Sequence, residues 1–379
     1  MPVISPRLRL RRPRNGLSGF APRSAVRDRL SDLAGFGDNP GNLRGRFYVP
    51  KGMEGPAPLV VVLHGCTQDA AVYDHGSGWS TLADRHGFAL LFPEQQRANN
   101  SMLCFNWFSA ADTQRGKGEA ASIRAMIEAM GRDHEIDPER IFVTGLSAGG
   151  AMASVMLATY PELFAGGAIL AGVAYGCADN VGEAFECMGG RARSNAQALS
   201  RAVRGASRHE GPWPRVQVWQ GSADHTVVAS NAEAIVLQWA GLHGLGDQPH
   251  RIDEVDGHPR RVWLGEAGEP LIEQYMIAGM AHGVPLDGGG EDALGQAGAH
   301  MLDVGLSSTQ RIAEFFGIAP EAAAGVKAAK RGGAAKAQKP RVEAEAEPAA
   351  EPRRGSAMDA ASGPQAVIEK ALRAAGLMR

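Results

Sequence analysis

The sequence predicts an α/β fold, a doubly wound and mostly parallel sheet in one catalytic domain, and three observations predict it. Short apolar runs without alternation recur through residues 44–317, which is how strands buried on both faces read. Segments of helical spacing lie between them. The candidate functional residues follow the runs in glycine-containing loops, where the carboxyl ends of parallel strands place their sites.

The first run is 59–63, LVVVL, closed by His64 and Gly65, and 88–92, FALLF, repeats the pattern. Ile123, Met126, Ile127 and Met130 mark one face of a helix over 119–130. Residues 137–140 lead into a third strand, 141–144. The chain then turns sharply over 145–149 and enters a helix over 151–159, which Pro161 stops. Two more strands are expected at 168–171 and 216–219, a helix at 232–240 and a last strand at 271–277.

Bulk composition excludes some classes of function. With 39 basic against 41 acidic side chains, a formal net charge of −2, nothing points to nucleic acid or a polyanionic partner. No run of about 18 apolar residues appears, so a transmembrane segment is not expected. Residues 1–30, with Arg7, Arg9, Arg11, Arg12 and Arg14, read as a basic flexible arm, contact with an anionic surface being the sharper alternative. The roughly 7–15 apolar residues of a secretory signal do not follow those arginines. Past 317 the composition turns to Ala, Lys, Glu, Pro and Gly, so 318–363 is expected to be a disordered linker. Val367, Ile368, Leu372 and Leu377 then suit a short amphipathic helix over 364–379, and 31–317 remains as the catalytic domain. The four cysteines, Cys66, Cys104, Cys177 and Cys187, lack the CxxC pairs of zinc or redox sites and are open to two readings, free buried thiols or two bridges.

Residues 141–150, IFVTGLSAGG, run strand, turn, helix, the context of a G-x-S-x-G nucleophile elbow with Ser147 at the turn. Gly145 and Gly149 leave room for a close backbone crossing, and a helix N-terminus supplies amide donors and a favourable dipole for an oxyanion. A glycine-rich turn whose serine merely caps a helix is the bland alternative, and strand and helix on the correct sides argue against it.

A serine hydroxyl needs a histidine base, itself oriented by a carboxylate, and in an α/β-hydrolase the chain order is Ser, acid, His. Asp224 follows 216–219 in QGSAD and would hang from a strand's carboxyl end, whereas Asp247, Asp253 and Asp256 lie in a polar stretch and read as surface charges. His282, in GMAHG, follows 271–277, with Gly279 and Gly283 giving its loop freedom to swing over the serine. His225 adjoins the acid but points elsewhere, His243, His250 and His258 read as solvated, and His300 is a weaker second candidate. Because His64, Gly65 and Cys66 end the first strand, the backbone N–H groups of Cys66 and Ala148 are the expected oxyanion donors. His64 is then structural, and Cys66 as a rival nucleophile is disfavoured by the complete set of partners around the serine.

LHGCTQ (63–68), SGW (77–79), PEQ (93–95), NWF (106–108), GEAASI (118–123), GLSAGGAM (145–152), YPELF (160–164), GSAD (221–224) and GMAHG (279–283) stand in this order. Together they resemble the poly(3-hydroxybutyrate) depolymerase family of esterases, similar in turn to feruloyl and acetylxylan esterases, over roughly 43–316. The resemblance implies an α/β-hydrolase fold, a triad of Ser147, Asp224 and His282, an oxyanion amide from Cys66, and Trp107 lining the substrate groove. Ordinary core packing is the other reading of Trp107. Family members are typically secreted, which implies an extracellular protein, the cytoplasm being the alternative. They often carry a separate polymer- or carbohydrate-binding domain, not evident here, which favours soluble oligomers or small acyl esters over solid polymer. A bridge such as Cys66 to Cys104 is left open.

The expected function is hydrolysis of carboxylic esters through an acyl-enzyme, without cofactor or metal, on poly- or oligo(3-hydroxyalkanoates), with feruloyl or acetylxylan-type esters as the alternative. Neither a large lid insertion nor a peptide-binding signature is evident, which sets lipases and peptidases aside. A rival of another class is a non-catalytic granule or surface binding protein that uses the basic arm and the tail; the intact triad counts against it. The acyl group, the alcohol and the oligomeric state depend on shape, which one sequence does not spell out.

Overall fold

The computed structural model describes residues 26–191, 195–289 and 293–320. Most of the expected basic arm, almost all of the 318–363 linker and the 364–379 helix lie outside the described residues.

Ten strands form one sheet: β1 (Ser31–Leu33), β2 (Arg44–Tyr48), β3 (Ala57–Leu63), β4 (Ala89–Glu94), β5 (Ile136–Leu146), β6 (Gly166–Leu170), β7 (Arg215–Gly221), β8 (Arg251–Val255), β9 (His258–Leu264) and β10 (Pro270–Ile277). Six run parallel at its centre in the order β4-β3-β5-β6-β7-β10. Antiparallel β2 and β1 extend one edge, and β9 and β8 the other. A small parallel pair, β11 (Val284–Leu286) and β12 (Met301–Asp303), stands apart.

The continuous apolar runs arise because both faces are covered. Along β3 the side chains of Leu59, Val61 and Leu63 enter one core while Val60 and Val62 enter the other. Helices α1 (Ala70–Ser77), α2 (Trp79–His86), α4 (Gly118–Asp133), α5 (Ala148–Thr159), α7 (Ala196–Ala206), α8 (Ser230–His243) and α9 (Ser308–Phe316) divide between the two cores; the short α3 (Ala110–Thr113) lies against α4 and α5, and α6 (Val181–Met188) follows β6. Met126 of α4, Met152 of α5, Val203 of α7 and Trp239 of α8 fill the first core. Tyr73 of α1, Leu82 of α2 and Ile312 of α9 fill the second. Every residue of α5 is buried, because its alanines, glycines and methionines are apolar all round and it lies against the sheet with α4 and α7 on its flanks.

The expected strands and helices of 59–63, 119–130, 141–144, 216–219, 232–240 and 271–277 lie within observed elements, and those of 88–92 and 168–171 overlap β4 and β6 except at Phe88 and Ala171, which fall just outside. The edge hairpin β8–β9 escaped the sequence reading because its strands are polar: Asp253 pairs with Arg260 at 2.8 Å, and Glu233 with Arg261 at 2.8 Å. Asp256 and Gly257 close it with φ of 51° and 83°, the two-residue turn that an Asp-Gly pair favours.

Phe316 of α9 stacks on Phe142 of β5, ring centroids 4.4 Å apart, and so closes one face of the sheet. Phe316→Ala is expected to cost about 3–5 kcal/mol, measured as a lower urea midpoint with an unchanged m-value. A loss below about 1 kcal/mol would contradict this packing.

Candidate active site

β5 runs into α5 through a turn whose apex, Ser147, has φ 58° and ψ −118°. This is left-handed backbone that a non-glycine residue adopts only where its surroundings impose it, typically at a strained functional turn. The Ser147 N–H donates to Leu170 O of β6 at 2.9 Å, and its carbonyl accepts from Ala151 N–H at 2.8 Å, opening the helix. A Cβ on Gly149 would sit 2.2 Å from Leu63 O and 2.5 Å from His64 O. Only glycine lets the start of α5 cross the end of β3 so closely. As the first residue of α5, Ala148 has an N–H with no acceptor inside the helix.

Asp224 and His282 come from neighbouring strand ends, since β7 and β10 are adjacent in the sheet. Their loops are laced together: Ser222 N–H donates to Ile277 O, Ala223 N–H to Met280 O, both at 3.0 Å, and Gly279 N–H to Ser222 Oγ at 2.8 Å. A Cβ on Gly221 would lie 2.2 Å from Met280 O, so this glycine is needed for the docking. The Asp224 carboxylate is fully buried and stands 2.7 Å from His282 Nδ1, which donates to it. Its Oδ1 accepts from the N–H groups of Thr226 and Val227 at 2.8 and 2.9 Å, and its Oδ2 from Gln220 Nε2 at 3.2 Å. With Nδ1 donating, the other ring nitrogen of His282 is left to accept a proton.

Ser147, Ala148, His282, Cys66 and Trp107 all line one cavity of about 350 Å³. Trp107 lines it and also packs against the core. His300 lines it too, but its Nδ1 is 3.1 Å from His282 O and its ring 5.8 Å from the His282 ring; it buttresses the loop of His282. His225 is exposed. Asp253 and Asp256 are ion-paired, to Arg260 and Arg311.

Both readings of the cysteines are now decided. Cys66 is joined to Cys104 and Cys177 to Cys187, which leaves no free thiol and overturns the free-thiol alternative; the sulfur of Cys66 is not available as a nucleophile. Buried His64 donates from Nδ1 to Gly65 O at 2.8 Å and accepts from Gln95 N–H at Nε2, 3.1 Å. Burial holds its imidazole below the usual histidine range despite the Gly65 contact.

Two contributions went unread in the sequence. Gln220, which steadies Asp224 and donates to Val227 O, was signalled only by its polarity in a buried strand, a trait Gln217 shares. The connection from β6 to β7 carries α6, whose Phe185 and Met188 wall the cavity where no covering insertion was expected. Its eight residues offer too few turns for periodicity to betray which face is inward.

The family model described as "Esterase PHB depolymerase" matches residues 44–254, more than half of the chain. The chain belongs to this esterase family. The matched stretch contains Ser147 and Asp224 and stops short of His282. The chain is 47% identical over 291 residues to poly(3-hydroxyalkanoate) depolymerase C of Paucimonas lemoignei, covering 76% of this chain and 70% of that one. It is 32% identical to an acetylxylan esterase of Coprinopsis cinerea, covering 68% and 70%. Among solved structures, an acetyl xylan esterase from Aspergillus awamori superposes with a TM-score of 0.65 at 26% identity, over 76% of this chain and 99% of that one. Its relatives are thus carboxylic ester hydrolases, and the esterase fold is shared over the described domain.

The His64 ring gives a test of this geometry. Because the folded state resists protonating it, the unfolded state binds more protons as pH falls below about 6.5; His64 therefore withdraws stability toward acid and none above that value. Long-range ¹H–¹⁵N spectra at pH 6 should show a neutral, Nδ1-protonated ring; an imidazolium there would contradict the buried contact with Gln95.

Proposed function

We propose that this chain is a serine ester hydrolase acting on poly- or oligo(3-hydroxyalkanoate) esters. One observation carries the proposal: an imidazole bound at 2.7 Å by a buried carboxylate opens on the same cavity as a serine held in a positive-φ strand-to-helix turn. In this reading Ser147 Oγ attacks the ester carbonyl while His282 Nε2 takes its proton. Asp224 fixes the tautomer and stabilises the imidazolium that forms. The carbonyl oxygen, now an oxyanion, accepts from the N–H groups of Cys66 and Ala148. His282 returns the proton to the leaving alcohol, and water repeats the sequence on the acyl-enzyme to release the acid.

The cavity walls include Val173, Val181, Ala184, Phe185, Met188 and Val227. Such walls suit an aliphatic hydroxyalkanoate chain. The 47% identity to a poly(3-hydroxyalkanoate) depolymerase supports the same substrate class. A second reading, a feruloyl or acetylxylan-type esterase, is supported by Trp107 and Phe108 at the cavity, which could flank an aromatic acyl ring, and by the acetylxylan esterase relatives. Two disulfides suit an oxidising compartment, and an extracellular site of action is part of the proposal.

Ser147→Ala should reduce hydrolysis of para-nitrophenyl acyl esters and hydroxybutyrate trimers at least about 10³-fold; retained turnover would end the serine reading. Asp224→Asn should lower kcat about 10³- to 10⁴-fold with KM little changed, because the wrong tautomer then faces the serine. On a panel of hydroxybutyrate trimer, acetylated xylan and methyl ferulate, the trimer should have the highest kcat/KM. Preference for either of the others would replace the substrate while leaving the esterase.

A further inference from the structure

Glu119 is the second residue of α4, is 0% exposed and does not line the cavity. Burial and the nearby charge of Asp112 push its carboxyl up to about 8. Burying such a group is costly, and an apolar side chain would fill the same space with less penalty. Its contacts explain its presence. Oε1 accepts from Gln95 Nε2 at 2.6 Å and from Asn106 Nδ2 at 2.8 Å, and Oε2 accepts from Asn106 N–H at 2.8 Å.

Two arms leave this carboxyl group and converge on residues 64–68. Gln95 donates from Nε2 to Cys104 O at 3.0 Å and from its backbone N–H to His64 Nε2 at 3.1 Å. Its amide cannot flip, because Oε1 accepts from Gln96 N–H and Asn99 Nδ2. Along the second arm, Asn106 Oδ1 accepts from Asn100 Nδ2 at 3.0 Å, and Asn100 Oδ1 accepts from the N–H groups of Met102 and Cys104. Met102 O in turn accepts from Thr67 N–H at 2.6 Å, and Cys104 is bonded to Cys66. Between His64 and Thr67, bracketed by the two arms, lie Gly65 and Cys66, and the disulfide to Cys104 holds Cys66 itself. PEQ, NWF and GEAASI, three separate motifs within residues 93–123, meet in this one network.

We propose that Glu119 is a positioning residue for the reaction: through Gln95 and Asn106 it aims the Cys66 N–H at the oxyanion. The inference rests on Cys66 and Ser147 having the roles proposed above. An amide that is displaced by a fraction of an ångström still binds the ground-state ester but stabilises the tetrahedral state less, so the effect falls on kcat.

The test compares wild type, Glu119→Gln and Ser147→Ala. Glu119→Gln keeps the volume but turns an NH₂ toward one of the donors, which severs part of the network. Active sites are counted by fluorophosphonate labelling of Ser147, and para-nitrophenyl acetate kinetics, the Ki of phenylboronic acid and Tm are measured on the counted protein. Phenylboronic acid forms a tetrahedral adduct whose oxygen occupies the oxyanion position. Glu119→Gln should label at Ser147, lose about 10- to 100-fold in kcat with KM within about twofold, and weaken phenylboronic acid in proportion. A kcat per labelled site within about twofold of wild type, whatever the change in Tm, overturns the inference and leaves Glu119 a structural residue. Failure of wild type to label at Ser147 overturns the proposed mechanism and this inference together. Should Glu119→Gln not fold, Glu119→Asp, which keeps the acid but draws its oxygens back from Gln95 and Asn106, must show the same loss confined to kcat, and a wild-type kcat there overturns the inference.

Discussion

The site depends on one backbone crossing, the approach of Gly149 to the carbonyls of Leu63 and His64. It brings the serine turn against the end of β3 and so puts Ser147 and the Cys66 loop on one cavity. The positive φ at Ser147 costs on the order of 1–3 kcal/mol and persists because the surroundings over-determine it. Its N–H is held by Leu170, its carbonyl starts α5, and α5 is buried along its whole length. A side chain at 149 would force the helix off the strand and relax the turn.

A second docking, of the 221–224 loop on the 277–280 loop, follows from strand order. β7 and β10 are neighbours although some fifty residues lie between them in sequence, because the β8–β9 hairpin is carried out to the sheet edge. Asp224 and His282 thus end adjacent parallel strands, and the loops need only the short contacts of Ser222, Ala223 and Gly221 to bring them together. Burial of Asp224 is offset by donors from Thr226, Val227, Gln220 and His282, so its charge is compensated on both oxygens.

The cavity walls are fixed covalently as well as by packing. Cys66–Cys104 ties the 64–68 loop to the segment that bears Trp107, and Cys177–Cys187 ties α6, with Phe185, to the chain leaving β6. Beneath the first of these, Glu119, Gln95 and Asn106 satisfy one another's donors and acceptors around the buried Glu119 side chain, where partly satisfied groups would be expensive. Bonds and buried polar contacts together leave these walls little freedom to rearrange.

The parallel sheet was legible in the sequence because strands covered on both faces must be apolar throughout, as 59–63 and 88–92 are; the polar edge strands β8 and β9 carry no such signature and went unread. Ser147, Asp224 and His282 could be chosen from the chain because a strained turn and strand-end loops constrain residue types locally. Local rules do not reach further. That Glu119 lies under the Cys66 loop, that α6 covers the cavity, and that Cys66 pairs with Cys104 rather than another cysteine depend on contacts between segments distant in sequence. The sequence by itself determined the layered sheet and the candidate nucleophile, acid and base, since backbone sterics and burial act residue by residue. Only the tertiary structure decided the cavity's walls, the disulfide pairing and the buried network, because those are set by which surfaces the folded sheet and helices bring face to face.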